Sequence, residues 1–383
     1  IGLMKTAQLQ FAAGKWMVDQ VPANFPTDKA QLVLVFGSGE LVTNQSLFDL
    51  IQSKFPQADI VSCSTAGEIL HNEVYDDSAV VTAVYFDKAR VKSVSVEINK
   101  NVNSFETGKS LMSLLNHDDL VSVLVISEGS FVNGSDLVAG FNELNSNNIP
   151  VTGGLAGDAA RFAKTQVGLN TVAKEGTVVA IGFYGSNLAI GHSSFGGWDE
   201  FGKERVITKS SKNVLYEIDG KTALDLYKEY LGPYVDELPG SALLFPISLR
   251  TNDADKNLVR TILNLNEQDG SMIFAGNMPE GSRIRLMKVN FEKVINGSSI
   301  AATNTSLMQK DHKADLAILI SCVGRKLILQ DRTSEEVQAA QKVFGNNTAI
   351  AGFYSYGELS PFNPGSNCEL HNQTMTITTF TEL

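Results

Sequence analysis

Short apolar runs rich in Val, Ile and Phe alternate along the chain with amphipathic stretches, the pattern of a mixed α/β or α+β protein. Residues 32–36 form a continuous apolar run that closes at Gly37-Ser38-Gly39, which predicts a buried strand. Leu47, Phe48, Leu50, Ile51 and Phe55 then recur at helical spacing up to Pro56. A second strand is predicted over 58–63, and 80–86 and 91–98 read as two strands paired through Asp87-Lys88. Helical spacing returns over 105–115 with Leu111, Leu114 and Leu115, and strands are predicted at 120–126, 151–155 and 178–184.

A second unit is expected to begin near Val214, after the polar stretch 208–213. Residues 215–220 read as a strand and turn. Ala223, Leu224, Leu226, Tyr227 and Leu231 form a helical stripe stopped by Gly232-Pro233. Strands are predicted at 316–321 and 348–353 with a helix over 333–344 between them. That helix has a capping-box start, with Thr333 as the cap and Glu336 three residues on. Residues 373–380 alternate, with many threonines, as in a strand on a half-buried sheet.

Three strand ends share one form: an apolar strand, small residues, a glycine, an acid. They are Ile60-Val61-Ser62-Cys63-Ser64-Thr65-Ala66-Gly67-Glu68, Val151-Thr152-Gly153-Gly154-Leu155-Ala156-Gly157-Asp158 and Ile350-Ala351-Gly352-Phe353-Tyr354-Ser355-Tyr356-Gly357-Glu358. Small residues and glycine let backbone amides approach a ligand closely, and the acid can face the same pocket. Any one of them reads as a tight turn with an acid capping a loop. Three together, one of them in the second unit, predict a shared pocket.

Composition narrows the function. The chain has 383 residues, which suits two or three domains, and its 43% hydrophobic against 19% charged content excludes disorder for most of it. Thirty-one Lys and Arg against 42 Asp and Glu leave a net charge of −11, so nucleic acid is not an expected partner. Three widely spaced cysteines argue against a disulfide framework and for a reducing compartment. The N-terminal residues lack a signal-peptide pattern and no apolar run reaches the length of a membrane span. A cytoplasmic protein without a membrane partner is therefore expected.

Thirty-two glycines stand against 5 histidines, which means many special turns and few candidates for acid–base or metal chemistry. Gly37-Ser38-Gly39 begins like a dinucleotide fingerprint, but Val42 stands where the third glycine belongs. Gly197–Lys203 has phosphate-loop spacing, yet Glu204 replaces the Ser or Thr, and Asp199 and Glu200 would repel a triphosphate. A nucleophile elbow and a His-Glu-x-x-His helix are both absent. Cys63 or Cys322 as a nucleophile would need a base or a depressed pKa, and His71 cannot be set beside Cys63 from sequence. An enzyme is not expected. Cys368 and His371, three apart on a strand, would point to opposite faces and could not share a metal. A non-covalent haem needs only one axial histidine, and His192 and His371 are the candidates by context; His71, His117 and His312 lie in polar stretches expected to be exposed. Trp198 beside Gly196-Gly197 reads either as a pocket wall or as core packing.

Taken in order, Ser62–Ile69, Gly153–Asp158, Gly197-Trp198 with Val206-Ile207-Thr208-Lys209, Tyr216–Leu224, Phe353–Glu358 and His371-Asn372-Gln373-Thr374 resemble the FIST sensory family. The resemblance runs from about residue 30 to the end. It implies an α/β, mixed α+β fold of two modules, each a sheet flanked by helices, with a ligand cleft between them. An N-terminal segment, 1–29, would pack on a FIST N-terminal module, 30–213, followed by a FIST C-terminal module, 214–383. It also implies a small-ligand sensor of bacterial signal transduction that regulates a separate histidine kinase or cyclic-di-GMP enzyme. NosP-type members look like haem-bound nitric oxide sensors, which would make haem b the cofactor; the alternative is a sensor of amino acids or other small metabolites without haem. A homodimer stays open. The candidate ligand-binding residues are Ser64, Thr65, Gly67, Glu68, Gly153, Gly154, Asp158, Trp198, Tyr354, Tyr356, Glu358 and Asn372, with His192 and His371 the candidate haem ligands.

Overall fold

In the computed structural model, residues 4–99, 101–251, 257–310 and 312–383 are described. They form a mixed α+β protein whose frame is three six-stranded mixed sheets. Each sheet rests on one repeat of the chain. The first repeat supplies β1 (Lys5–Ala12), β2 (Leu32–Gly37), α1 (Gln45–Lys54), β3 (Asp59–Ser64), β4 (Glu68–Leu70) and β5 (Ser78–Tyr85). The second supplies β6 (Arg90–Glu97), α2 (Ser104–Leu115), β7 (Leu120–Ser127), α3 (Gly134–Leu144), β8 (Val151–Leu155), β9 (Val167–Leu169) and β10 (Thr177–Tyr184). The third supplies β11 (Leu188–Phe195), α4 (Phe291–Met308), β12 (Leu316–Cys322), α5 (Val323–Leu329), α6 (Thr333–Phe344), β13 (Ala349–Ser355), β14 (Gly357–Pro361) and β15 (Met375–Glu382). Between β11 and α4 the chain adds an antiparallel sheet around helix Ala223–Leu231, with its own core of Leu215, Leu224, Tyr227, Met272 and Phe274.

The repeats obey one plan. β2 and β3, β7 and β8, and β12 and β13 are parallel pairs connected through helices, as a parallel crossover requires. β5, β10 and β15 return antiparallel beside the first strand of each pair and also hold β1, β6 and β11. The strand after each parallel pair leaves its own sheet. β4 pairs with β13, β14 pairs with β8, and β9 pairs with β3. First repeat gives to third, third to second, second to first, so the exchange closes a ring.

The sheets turn their inner faces to one core, to which Phe36, Ile126, Phe183, Ile320, Phe353 and Phe380 contribute from all three. Phe36 meets Phe353 at 4.8 Å and Phe183 meets Phe380 at 4.9 Å between ring centroids. Helices cover the outer faces: α1 through Leu47, Phe48 and Ile51, α2 and α3 through Leu111, Leu137 and Phe141, α4 and α6 through Ala301, Ala302, Val337 and Ala340. Strands covered on both sides need apolar residues at successive positions, which is why β2 and β12 read as unbroken apolar runs.

Several expectations are corrected. The strands at 80–86 and 91–98 do not pair: β5 lies in the first sheet and β6 in the second. The connection is held open by Glu382, whose carboxylate accepts the N–H groups of Asp87 at 2.7 Å, Lys88 at 2.7 Å and Ala89 at 2.6 Å. The capping box at Thr333 does not form. Thr333 donates to the Gln330 carbonyl at 2.5 Å, and Glu336 is drawn inward to Arg325. The last strand is buried along its whole length, since α4 and the central core cover its two faces. The stretch 208–213 is the end of strand Asp199–Ser211 and the turn into Val214–Ile218, with Lys212 at a left-handed φ of 51°. Among the described residues, no helix is long and apolar enough to cross a membrane.

Candidate functional site

The three joints where strands change sheets are the three strand-end motifs, and they meet one another. Ala66 N–H donates to the Tyr354 carbonyl at 2.8 Å, Tyr356 N–H to the Leu155 carbonyl at 3.1 Å, and Gly157 N–H to the Ser64 carbonyl at 2.9 Å. Two joints seal their acid in the same cage. Glu68 accepts from Thr65 Oγ1 at 2.6 Å, Ser78 Oγ at 2.9 Å and Ser78 N–H at 3.2 Å. Glu358 accepts from Ser355 Oγ at 2.7 Å, Thr374 Oγ1 at 2.9 Å and Thr374 N–H at 3.2 Å. Burial pushes Glu68 up to about 7 and Glu358 up to about 8, against hydrogen bonds that favour the charged form.

The second repeat breaks the pattern. Thr177 corresponds to Ser78 and Thr374, because all three give their carbonyl to the N–H just after the first parallel strand or at its last residue: Ser38, Glu128 and Cys322. Yet the buried Thr177 hydroxyl has no hydrogen-bond partner. Asp158 turns away from it to Arg161 Nε at 2.9 Å and Lys164 N–H at 3.2 Å. The joint is also longer, since β9 begins only at Val167.

Beside this joint opens a cleft of about 530 Å³ lined by residues of all three repeats: Ala66, Asp76 and Asp77; Ala159, Ala160 and Arg161; Val323, Lys326, Leu327, Gln330 and Thr333. That volume is in the small-molecule range, and the cleft lies beyond the carboxyl ends of parallel strands, where open α/β sheets bind ligands. Lys326 crosses it, donating to the Ala66 carbonyl at 2.9 Å and pairing with Asp76. Gly67 makes room: its φ is +141°, and a Cβ there would stand 2.7 Å from Lys326 Nζ. Asp77, Ala159 and Gln330 hold left-handed φ values of 55°, 46° and 49°. Backbone strain of this kind gathers at functional sites. The lining therefore offers an alanine, valine and leucine floor, two cations and two carboxylates.

Of the sequence candidates, Gly67 backs Lys326, and Asp158 and Tyr356 hold the loop that carries Ala159–Arg161. Ser64, Thr65, Glu68, Tyr354 and Glu358 build the sealed joints behind the cleft; Tyr354 donates to Glu336 at 2.6 Å and Ser64 Oγ accepts the Gln166 N–H at 2.9 Å. Gly153 and Gly154 lie within β8, where a Cβ on Gly153 would stand 1.9 Å from the Val125 carbonyl oxygen. Trp198 packs on Val294, Ile328 and Leu329 and donates to the Gln373 carbonyl at 2.9 Å. Asn372 is buried and donates to the His371 carbonyl at 3.0 Å. Asp76, Asp77, Arg161, Lys326 and Gln330 were not singled out by sequence. The Asp76-Asp77 pair before β5 was a readable signal; nothing in the spacing marked Lys326.

The three cysteines are free and buried. Burial pushes the Cys322 thiol up to about 12 and Cys63 well above the ordinary value, away from the thiolate a cysteine nucleophile needs. His192 and His371 are both buried strand residues, and His71 is half-buried rather than exposed. Burial lowers His192 to about 4, and its Nδ1 has no hydrogen-bond partner, so the donor chemistry suits iron. The space does not: no histidine lines the cleft, and His192 is 4% exposed within packed sheets. His371 Nε2 lies 2.9 Å from the Ser360 carbonyl. Among the described residues, no group of three or more His, Cys, Asp or Glu could hold a metal ion.

An uncharacterized protein of Methanocaldococcus jannaschii is 23% identical over 348 residues, covering 82% of this chain and 63% of its own length. The chain thus spans less than two thirds of that relative. A cyanuric acid hydrolase from A. caulinodans superposes over 100% of this chain and 99% of its own, at 7% identity and a TM-score of 0.38, too loose an overlap to bear on function. The FIST N domain matches residues 31–221 and the FIST C domain residues 223–361. FIST domains are sensory domains of signal transduction that bind small ligands. With both of its domains matched in order over most of the length, the chain belongs to the FIST family.

Proposed function

We propose that this protein is a cytoplasmic small-ligand sensor, not an enzyme, and that its ligand binds in the cleft where the three repeats meet. The observation that carries the reading is the convergence there of three strained residues, Asp77, Ala159 and Gln330, with two cation–carboxylate pairs. Lys326 and Arg161 suit a carboxylate and Asp76 and Asp77 an ammonium group, so a free amino acid or a similar zwitterion fits the lining. Binding would favour one arrangement of the joints over another, and the output would be a changed contact with a separate protein such as a histidine kinase or a cyclic-di-GMP enzyme. Buried, unpaired cysteines support a reducing compartment.

A thermal-shift screen of the standard amino acids tests this. A true ligand at about 100 times its Kd adds about 2.7 kcal/mol of stability, and Lys326→Met should abolish the gain. No stabilisation by any of them would sink the amino-acid reading.

A second reading, haem with nitric oxide sensing, is favoured only by the unpartnered Nδ1 of His192. It requires the sheets around His192 to open. Hemin titration gives a Soret band that His192→Ala removes if this reading holds; an unchanged hemin spectrum ends it.

A further inference from the structure

The joint of the second repeat differs from the other two in length, in its acid and in what lies over it. In the first repeat three residues separate β3 from β4, and in the third a single residue separates β13 from β14. In the second, residues 156–166 intervene, and their middle part forms one wall of the cleft. Two residues of this segment, Ala159 and Phe162, are left-handed, with φ values of 46° and 52°. Phe162 is half exposed and stacks on Tyr356 at 4.6 Å between centroids and 19° between planes. The Tyr356 hydroxyl binds the segment at both left-handed residues: it accepts the Phe162 N–H at 3.0 Å and donates to the Ala159 carbonyl at 3.2 Å. Arg161 lies between those points, its side chain largely exposed and paired only to Asp158 of the same segment.

We propose that residues 159–164 are a lid over the cleft, hinged at Ala159 and Phe162, latched by the Tyr356 hydroxyl and carrying Arg161 as the group that exchanges Asp158 for an anionic group of the ligand. The proposal rests on the cleft being the ligand site. It fits the second repeat's different choice of sealed acid: Glu128, buried, accepts from Thr165 Oγ1 at 2.7 Å and from the N–H groups of Ser130, Phe131 and Val132, which leaves Asp158 to hold Arg161 and the Thr177 hydroxyl without a partner. It also assigns Tyr356, which belongs to the third repeat, the task of reporting lid position across the ring. Tyr356 is a positioning residue in this scheme, since it touches the lid and not the ligand.

Limited trypsin digestion reads the lid directly, because Arg161 and Lys164 are its own cleavage points. Tyr356→Phe keeps the stacked ring and removes both hydrogen bonds; it should speed cleavage at these two bonds by at least about fivefold with the melting temperature of the intact chain little changed. Phe162→Ala removes the stack and should act in the same direction. Equal cleavage rates in wild type and both variants, or first cleavage elsewhere in Tyr356→Phe, would overturn the lid. A mixture of standard amino acids at millimolar concentration should slow cleavage of the wild type and slow that of Arg161→Gln at Lys164 less. If the latch variants open the segment but amino acids protect nothing, the lid stands and the amino-acid reading of the cleft falls.

Discussion

Arg325 and Glu336 form an ion pair without solvent contact: Nε and Nη2 donate to the same carboxylate oxygen at 2.9 and 2.7 Å, while Ser321 and Tyr354 donate to the other. The remaining guanidinium hydrogens go to the carbonyls of Gly196, Gln373 and Val294. Every charge and donor of this knot is answered, across β11, α4, α5, α6, β12, β13 and the approach to β15. Removing one partner leaves the other buried and alone. Arg325→Met or Glu336→Gln should each destabilise the protein by about 3–5 kcal/mol, read from urea unfolding. A midpoint within error of the wild type would refute the keystone role.

Glu68 and Glu358 make stability fall as pH rises. Their ordinary carboxyl value is 4.5, and burial raises it to about 7 and about 8 in the folded chain. Below 4.5 both states hold the proton. Between 4.5 and those values the unfolded chain has released it and the folded chain keeps it, so folding loses about 1.4 kcal/mol per pH unit for each group. Denaturant titrations at pH 5 and pH 8 should show the loss, and Glu68→Gln with Glu358→Gln should flatten it. A wild-type protein as stable at pH 8 as at pH 5 would contradict the assignment.

Cys63 and Cys322 should resist alkylation. Both thiols are buried and shifted upward by burial first, with Glu68 and Glu358 adding to the effect. Iodoacetamide at neutral pH should modify them more slowly than a free thiol in the native protein and at the ordinary rate in urea. Fast native labelling of either, seen by peptide mass spectrometry, would reopen a cysteine-dependent activity.

Gly67→Ala tests the crossing of Lys326. The new methyl group falls 2.7 Å from Nζ at a φ of +141°, a conformation that L side chains avoid. The expected outcome is a lowered melting temperature together with weaker amino-acid binding, since Lys326 must leave the Ala66 carbonyl. Retained binding at wild-type strength would place the ligand elsewhere.

Much of this was legible in the residues. The apolar runs at 32–36, 120–126 and 316–321 marked the first strand of each parallel pair, because strands covered on both faces leave a continuous apolar record. The recurrence of small residues, Gly and an acid marked all three joints. Which strand pairs with which was not legible: β5 and β6 are adjacent in sequence, but three N–H bonds to Glu382, nearly three hundred residues away, decide their separation. Glu336 read as a helix cap because capping is local, whereas its partner Arg325 lies on a different helix. Lys326 carried no signal, since its meaning comes from Ala66 and Asp76 across the ring.

The closed exchange of strands bears on how this protein can be taken apart. Cut between the two matched domains, the N-terminal half would lose β14 from the edge of β8 and keep β4 with no β13 to lie on. Each fragment would present bare backbone that pairs with whatever strand it meets. The two halves are thus one cooperative body, assembled only when its last strand is home, and a disturbance at any joint is felt by all three sheets at once.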